Sequence, residues 1–506
     1  MHGKRSSTGY SVVSAALANE RLGTVPIAFF VLSAAAPLTA IGGIVPTGYA
    51  TTGVIGIPLA FLLVGVVLAV FSVGYNAMAR RISNAGAFYA YVSHGLGKPL
   101  GVSAAWVALL SYNLLQLGLY GAFGAVTAPL LNPLLGTQLP WWVYAFASWV
   151  IVTVLGLLRV DVNSRVLSIL LCLEATLILV FDVADLAHPA SGHISFATLM
   201  PDQLFVPGIG ALLAIAVTGF VGFEAAPVFA EEARDARRTV PAATYLCLGV
   251  IALLYSFSSW AMTVATGPDK IAQFAGSNGA ETVFVLAAQR LGPAFTDIGH
   301  ALFATSLIAA MISYHNSVAR YTFALGRERV LPAWFGRTSR SGAPKYGSLF
   351  QSALGLVVIT AYAILQLDPL VQLFYWLGTS GGFGILVLLG TTSFAVIGYF
   401  RLHPVETFWS GFAAPALSLL AMIGIVELVV ANFATLLGVE PDSPLRWIFP
   451  GSFAVVAVLG IGWALILRVA RPDIYRGIGL GANSVTGRRM SDEMSLQSGQ
   501  FRQVGA

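Results

Sequence analysis

The stretch that decides the fold is "TGFVGFEAAPVFAEEARDARRTVPAA", residues 218–243, which starts inside an apolar run and ends in charges. Two glycines, Gly219 and Gly222, a buried-looking acid, Glu224, and Pro227 interrupt what otherwise reads as a membrane-crossing helix. In hydrocarbon an unpaired backbone amide costs several kcal/mol, so a helix that gives up its own hydrogen bonds at this depth must place the freed groups against protein or water. An interrupted helix of this kind points either to a binding site or to a kink that lets helices pack closely.

Composition puts the whole chain in a bilayer. Of 506 residues, 57% are hydrophobic and 10% charged, and the mean hydropathy is +0.81, whereas a soluble domain carries roughly a quarter charged residues. Twelve apolar runs are expected to cross: 24–48, 54–78, 100–127, 140–158, 163–186, 207–231, 241–266, 295–322, 347–366, 370–399, 412–437 and 448–469. The fold class that follows is an all-α integral membrane protein. The chain is expected to divide into a tail (1–23), a membrane domain (24–469) and a second tail (470–506), with repeat one over 24–186, repeat two over 207–399 and extra helices over 412–469.

The net charge of +5 does not call for nucleic acid. With both termini on the cytoplasmic side, only Lys270, Arg290 and Arg446 of the 27 Lys and Arg fall outside, which is the positive-inside bias. The first 23 residues lack a cleavable signal pattern. Cys172 and Cys247 fall within helices five and seven, form no metal-ligand spacing, and read as inert core residues. There is no His-Glu-x-x-His and no phosphate-binding Gly-x-x-x-x-Gly-Lys loop, so neither an enzyme nor a cofactor is expected.

Helix one, "VLSAAAPLTAIGGIVP", is interrupted like helix six, with Pro37 at its middle and Gly42, Gly43 and Pro46 beyond. First and sixth are corresponding positions in a chain of two inverted five-helix halves, and paired breaks at such positions point to a secondary transporter's substrate site. Unwinding offers N–H groups and a half-helix N-terminus to an anion and carbonyls to a cation, and an amino acid carries both charges. The packing alternative is that Gly and Pro merely allow kinks and close helix contacts.

Four motifs in order resemble the amino acid–polyamine–organocation transporters: Gly222-Phe223-Glu224; Ala230-Glu231-Glu232 with Arg234 and Arg237-Arg238-Thr239-Val240-Pro241; "RRISNAGAFYAYV" (80–92); and "YHNSVARYTFALGRERVLP" (314–332). The resemblance implies twelve helices in an inverted five-plus-five repeat with discontinuous helices one and six. It implies secondary transport of an amino acid or related amine in a bacterial plasma membrane, with both termini cytoplasmic. It assigns substrate contacts to Ala35, Ala36, Pro37, Leu38 and Thr39 of helix one and to Thr218, Gly219, Phe220 and Gly222 of helix six. Asn113 and Gln116, which share a face of helix three with Tyr120, and Tyr375 and Trp376 of helix ten complete the expected set. Glu224, Glu231 and Arg320 are assigned to a cytoplasmic gating network.

Two departures from the family pattern stand out. Pro37-Leu38-Thr39 occupies the place of a Gly-small-Gly triplet, unless Ile41-Gly42-Gly43 supplies it, and Glu174 stands where proton-coupled relatives often have lysine. Glu174 lies about 16 Å into helix five, near the midplane, where a charge costs ~3 kcal/mol on insertion scales. It reads as a proton carrier, as a counter-charge for an amine, or as a protonated group bonded to a neighbouring helix. Protons are the expected coupling ion, with sodium the alternative through helix-eight hydroxyls. The missing glycines and the extra carboxylate lean toward a polyamine or other organic amine as the alternative substrate, and an amino-acid exchanger is the alternative mode of transport.

Overall fold

The computed structural model describes residues 22–158, 160–339 and 342–484; residues 1–21 and 485–506, which make up most of both expected tails, lie outside them. Every regular element among the described residues is helical, and one isolated bridge joins Leu22 to Ala233. Among the described residues eleven helices, rather than the expected twelve, are long and apolar enough to cross. They are Thr24–Thr52, Ile57–Ala79, Lys98–Leu135, Asn163–Ala187, Ile209–Glu232, Ala236–Thr266, Pro293–Arg327, Lys345–Ile364, Pro369–Leu402, Trp409–Ala431 and Leu445–Ala470. The remaining expected crossing, 140–158, is a shorter apolar helix, Trp141–Leu157, whose 17 residues sit at the lower end of what spans hydrocarbon. Counting that helix fourth, the elements are called here the first to twelfth spans.

Burial ranks the spans. In their most apolar windows the first and sixth spans are 78% and 72% buried, against 22% for the twelfth, so the two interrupted helices occupy the centre and the last helix faces outward. The first span packs on the fifth, seventh and eighth, and its N-terminal half meets the C-terminal half of the sixth, where Phe30 and Phe229 stack at 4.5 Å. The 38-residue third span leans on the eighth, tenth and twelfth. Short helices follow the second span (Ala87–Leu96) and the seventh (Ile271–Asn278, Thr282–Leu291).

The breaks follow from local chemistry. The first span runs helically to Ala35; Ala36 is left-handed (φ 46°), and Pro37 opens a new helical segment. Proline lacks an N–H and its ring clashes with the carbonyl four residues back, so it is suited to a first helical position and not to an interior one. The chain then widens into a π-turn over Ala40–Ile44, around Gly42-Gly43, before Val45–Thr52. The sixth span stops at Thr218, turns through Gly219–Gly222 and resumes as a 3-10 helix, Phe223–Glu232. Gly222 has φ 115°, and a Cβ there would lie 2.7 Å from the Cβ of Ala34, so the two breaks touch where only glycine fits.

The cysteine reading needs correction. Cys247 is buried, its Sγ donating to the Ala28 carbonyl at 3.5 Å, but Cys172 is exposed on the outer face of the fifth span. A helix with one buried stripe cannot hide every apolar residue.

Candidate functional site

A cavity of about 740 Å³ opens beside the two breaks. Its floor is formed by Ala35, Ala36 and Thr39 of the first span and Thr218 and Val221 of the sixth; Tyr314 and Tyr375 form part of its walls. Its mouth lies among Glu281, Asp297 and His300, at the end of the bundle carrying the short helices after the seventh span. Glu281 accepts from His300 at 2.8 Å, and among the described residues the lining contains no Lys or Arg.

Of the residues expected to bind substrate, Ala35, Ala36, Thr39, Thr218 and Tyr375 line this cavity. The others are placed elsewhere. Gln116 is buried and its Nε2 donates to the Tyr120 hydroxyl at 3.2 Å, while Asn113 donates to Leu109 O on its own helix at 2.6 Å. Phe220 packs between Phe61 and Tyr255, and Gly219 is covered by the same two rings. Trp376 turns away, its indole N–H donating to Leu437 O at 3.1 Å. Pro37, Leu38 and Gly222 shape the breaks from outside the lining.

Leu38 matters through its amide. As the second residue after the break its N–H has no helical acceptor, and Glu174 supplies one: Oε1 accepts from the Leu38 N–H. The same oxygen accepts from Ser306 Oγ at 2.9 Å, and Thr39 Oγ1 reaches Ser306 at 3.4 Å. Glu174 is 2% exposed, so this carboxylate belongs to the protein interior and ties the fifth, first and eighth spans together at the break. Ser306 escaped the sequence reading, yet a signal was present: it stands seven residues before Ser313, on the same helical face. Ser313 donates to Phe30 O at 2.6 Å and Ser317 to Ser313 O at 3.1 Å, whereas His315 faces away, bonded to Ser348 at 2.7 Å.

The sixth-span break carries its own carboxylate. Glu224 Oε2 accepts from the Gly222 N–H at 2.8 Å, and Oε1 accepts from the Tyr112 hydroxyl at 3.0 Å. Tyr75 donates to the Glu224 carbonyl at 2.7 Å and Tyr314 to Val221 O at 3.3 Å. The Leu38 and Gly222 amides and the Val221 and Glu224 carbonyls therefore have partners, as a low-dielectric interior demands.

Away from the mouth the bundle is closed. Arg320 makes a two-pronged pair with Glu232 (2.6 and 3.0 Å) and lies 4.6 Å over the Phe229 ring; Arg327 makes another with Glu231 (2.6 and 2.7 Å). Leu22 N donates to Glu232 O at 3.0 Å and Arg234 N to Leu22 O at 2.9 Å, tying the start of the first span to the end of the sixth. Only Arg234, Asp235, Arg237 and Arg238 of the charged run are solvated; Glu231 and Glu232 are drawn inside by the two arginines.

A multi-pass bundle with two broken central helices around a one-sided cavity defines a membrane transporter. Residues 35–475 match the family model described as amino acid permease, and the chain belongs to that family. It is 24% identical over 360 residues to the low-affinity putrescine importer PlaP of Escherichia coli (strain K12), covering 68% of this chain and 74% of the relative. It is 24% identical over 375 residues to the histidine permease HisP of Lactococcus lactis subsp. cremoris, covering 68% and 76%. The lysine-specific permease LysP of the same organism matches at 22% over 346 residues, covering 63% and 66%.

Proposed function

We propose that the protein is a secondary active transporter that carries a small amino-containing solute across the plasma membrane by alternating access, with proton movement coupled through Glu174. The observation that carries this reading is the contact between Glu174 and the Leu38 amide. An ionised Glu174 accepts from both Leu38 and Ser306; a protonated one has lost acceptor strength and gained a donor, so proton occupancy and the geometry of the first-span break are linked. The floor residues Ala35, Ala36, Thr39 and Thr218 then meet the solute, and the mouth-side cavity corresponds to the outward-facing arrangement, the Glu231 and Glu232 pairs to a shut cytoplasmic gate. Both termini lie in the cytoplasm on this reading.

One observation favours an organic amine over an amino acid. At a helix break the free N–H groups are the natural receptor for a substrate carboxylate, and here the protein's own carboxylate holds one of them. The lining adds Glu281 and Asp297 with no Lys or Arg, an arrangement that attracts cations. The names of relatives run both ways: a putrescine importer, a histidine permease and a lysine-specific permease.

The test is uptake into proteoliposomes of labelled putrescine and of neutral, cationic and acidic amino acids, with and without an inward proton gradient. Accumulation of one class only under the gradient supports the reading. Accumulation that ignores the gradient contradicts proton coupling, and uptake of zwitterions but not putrescine contradicts the amine.

A further inference from the structure

Glu231, at the closed end, is held from two sides: Arg327 grips both oxygens, and the Ala85 N–H donates to Oε1 at 2.9 Å. The chain neighbours of those two residues, Glu328 and Asn84, turn the opposite way and meet the segment that follows the twelfth span. After the short helix Pro472–Gly477 that segment passes through Gly479 (φ 83°) and Gly481 (φ 58°), whose N–H groups converge on the Glu328 carboxylate at 2.6 and 2.7 Å. Amides presented by a chain with left-handed residues form a nest for an anion, and here the anion is a side chain.

Asn84 Nδ2 (3.0 Å) and the Tyr89 hydroxyl (2.5 Å) complete the shell of Glu328, which is fully buried; burial pushes its carboxyl above the ordinary range. His94 Nε2 lies 3.1 Å from Gly479 O, and Lys98 Nζ donates to Arg476 O at 2.7 Å, so the segment is fastened along the helix Ala87–Leu96 and the start of the third span. A Cβ on Gly481 would meet Asn84 Nδ2 at 3.2 Å and Arg327 Nη2 at 3.3 Å, so the strap lies directly against the gate arginine.

We propose that Glu328 and the C-terminal strap, residues 478–484, are positioning elements of the gate: by fixing Asn84 and Glu328 they fix Ala85 and Arg327, and so hold Glu231 and the closed end shut. Among the described residues, the strap hydrogen-bonds to Asn84, Tyr89, His94 and Glu328, none of which lines the cavity, and it acts through the pair beside it. This rests on the reading of Glu231–Arg327 as the gate of an alternating-access cycle.

The test uses full-length protein in oriented vesicles, with Cys172→Ser and Cys247→Ser removing the native thiols and Thr39→Cys reporting on the cavity floor through an impermeant maleimide. Arg327→Ala tests the gate itself: it is expected to slow labelling from the mouth side and speed it from the other. Truncation after Gly477 and, separately, Glu328→Gln in the full chain are expected to shift labelling the same way by about fivefold, a coupling of ordinary size. Truncation after Ser484, which keeps the nest, is expected to leave both rates unchanged. Glu328→Gln covers the case in which the shorter chain fails to fold. If Arg327→Ala shifts labelling but neither strap variant does, the strap proposal is overturned and the gate stands. Equal shifts from both truncations also overturn it, and no shift from Arg327→Ala removes the gate reading beneath it.

Discussion

The two broken helices solve one problem with different parts. In the sixth span the exposed Gly222 amide is capped by Glu224, two residues along the same chain. In the first span the exposed Leu38 amide is capped by Glu174, which arrives from another helix 136 residues away. A local cap moves with the backbone it caps. A cap from a different span ties two helices, and anything that changes its protonation changes how those helices are held. Glu224 also accepts from Tyr112 of the third span, but its bond to the break itself is local. On the proposed reading Glu224 is therefore part of the scaffold and Glu174 the switch, although both are buried carboxylates against a broken helix.

The difference can be broken experimentally. The largest effect belongs to Gly222→Ala, which forces a side chain onto a φ of 115° and against Ala34; about 2–4 kcal/mol of destabilisation is expected, read as a lower Tm in detergent. Glu224→Ala removes the partner of both Gly222 N–H and Tyr112, and a loss of about 1–3 kcal/mol in all is expected from the buried groups left unpaired, again by thermal unfolding. Glu174→Gln keeps an acceptor for Leu38 and Ser306, so a change within about 1 kcal/mol is expected in Tm, together with loss of pH-dependent uptake. The smallest effect is Ala36→Gly: relief of a left-handed alanine against the greater chain entropy of glycine leaves a change of no more than about 1 kcal/mol. Equal loss of pH dependence in Glu174→Gln and Glu224→Gln would erase the distinction between the two caps.

Much of this was legible in the residues. Apolar runs of the right length located the spans, and Pro37 and Gly222 located the breaks because each residue type excludes a continuous helix there. The depth of Glu174 marked it as costly, but nothing in the sequence says that it reaches Leu38, since that depends on how three spans pack. The same limit applies to Gln116 and Trp376: a polar or aromatic residue on a helix has a face, and only its neighbours decide whether that face meets the cavity or, as here, Tyr120 and Leu437. Glu281 sits in the connection after the seventh span and Asp297 and His300 at the start of the eighth, so their shared place at the mouth emerges only from the fold.

The central claim is that the cap from the fifth span carries the coupling. The most direct measurement is gradient-driven accumulation of putrescine, and of whichever amino acid class the wild type accepts, in proteoliposomes of wild type, Glu174→Gln and Glu224→Gln. The account predicts that Glu174→Gln still equilibrates its substrate across the bilayer but no longer accumulates it when a proton gradient is imposed, while Glu224→Gln, once folded, accumulates as the wild type does. Accumulation by Glu174→Gln with wild-type dependence on the gradient would contradict it.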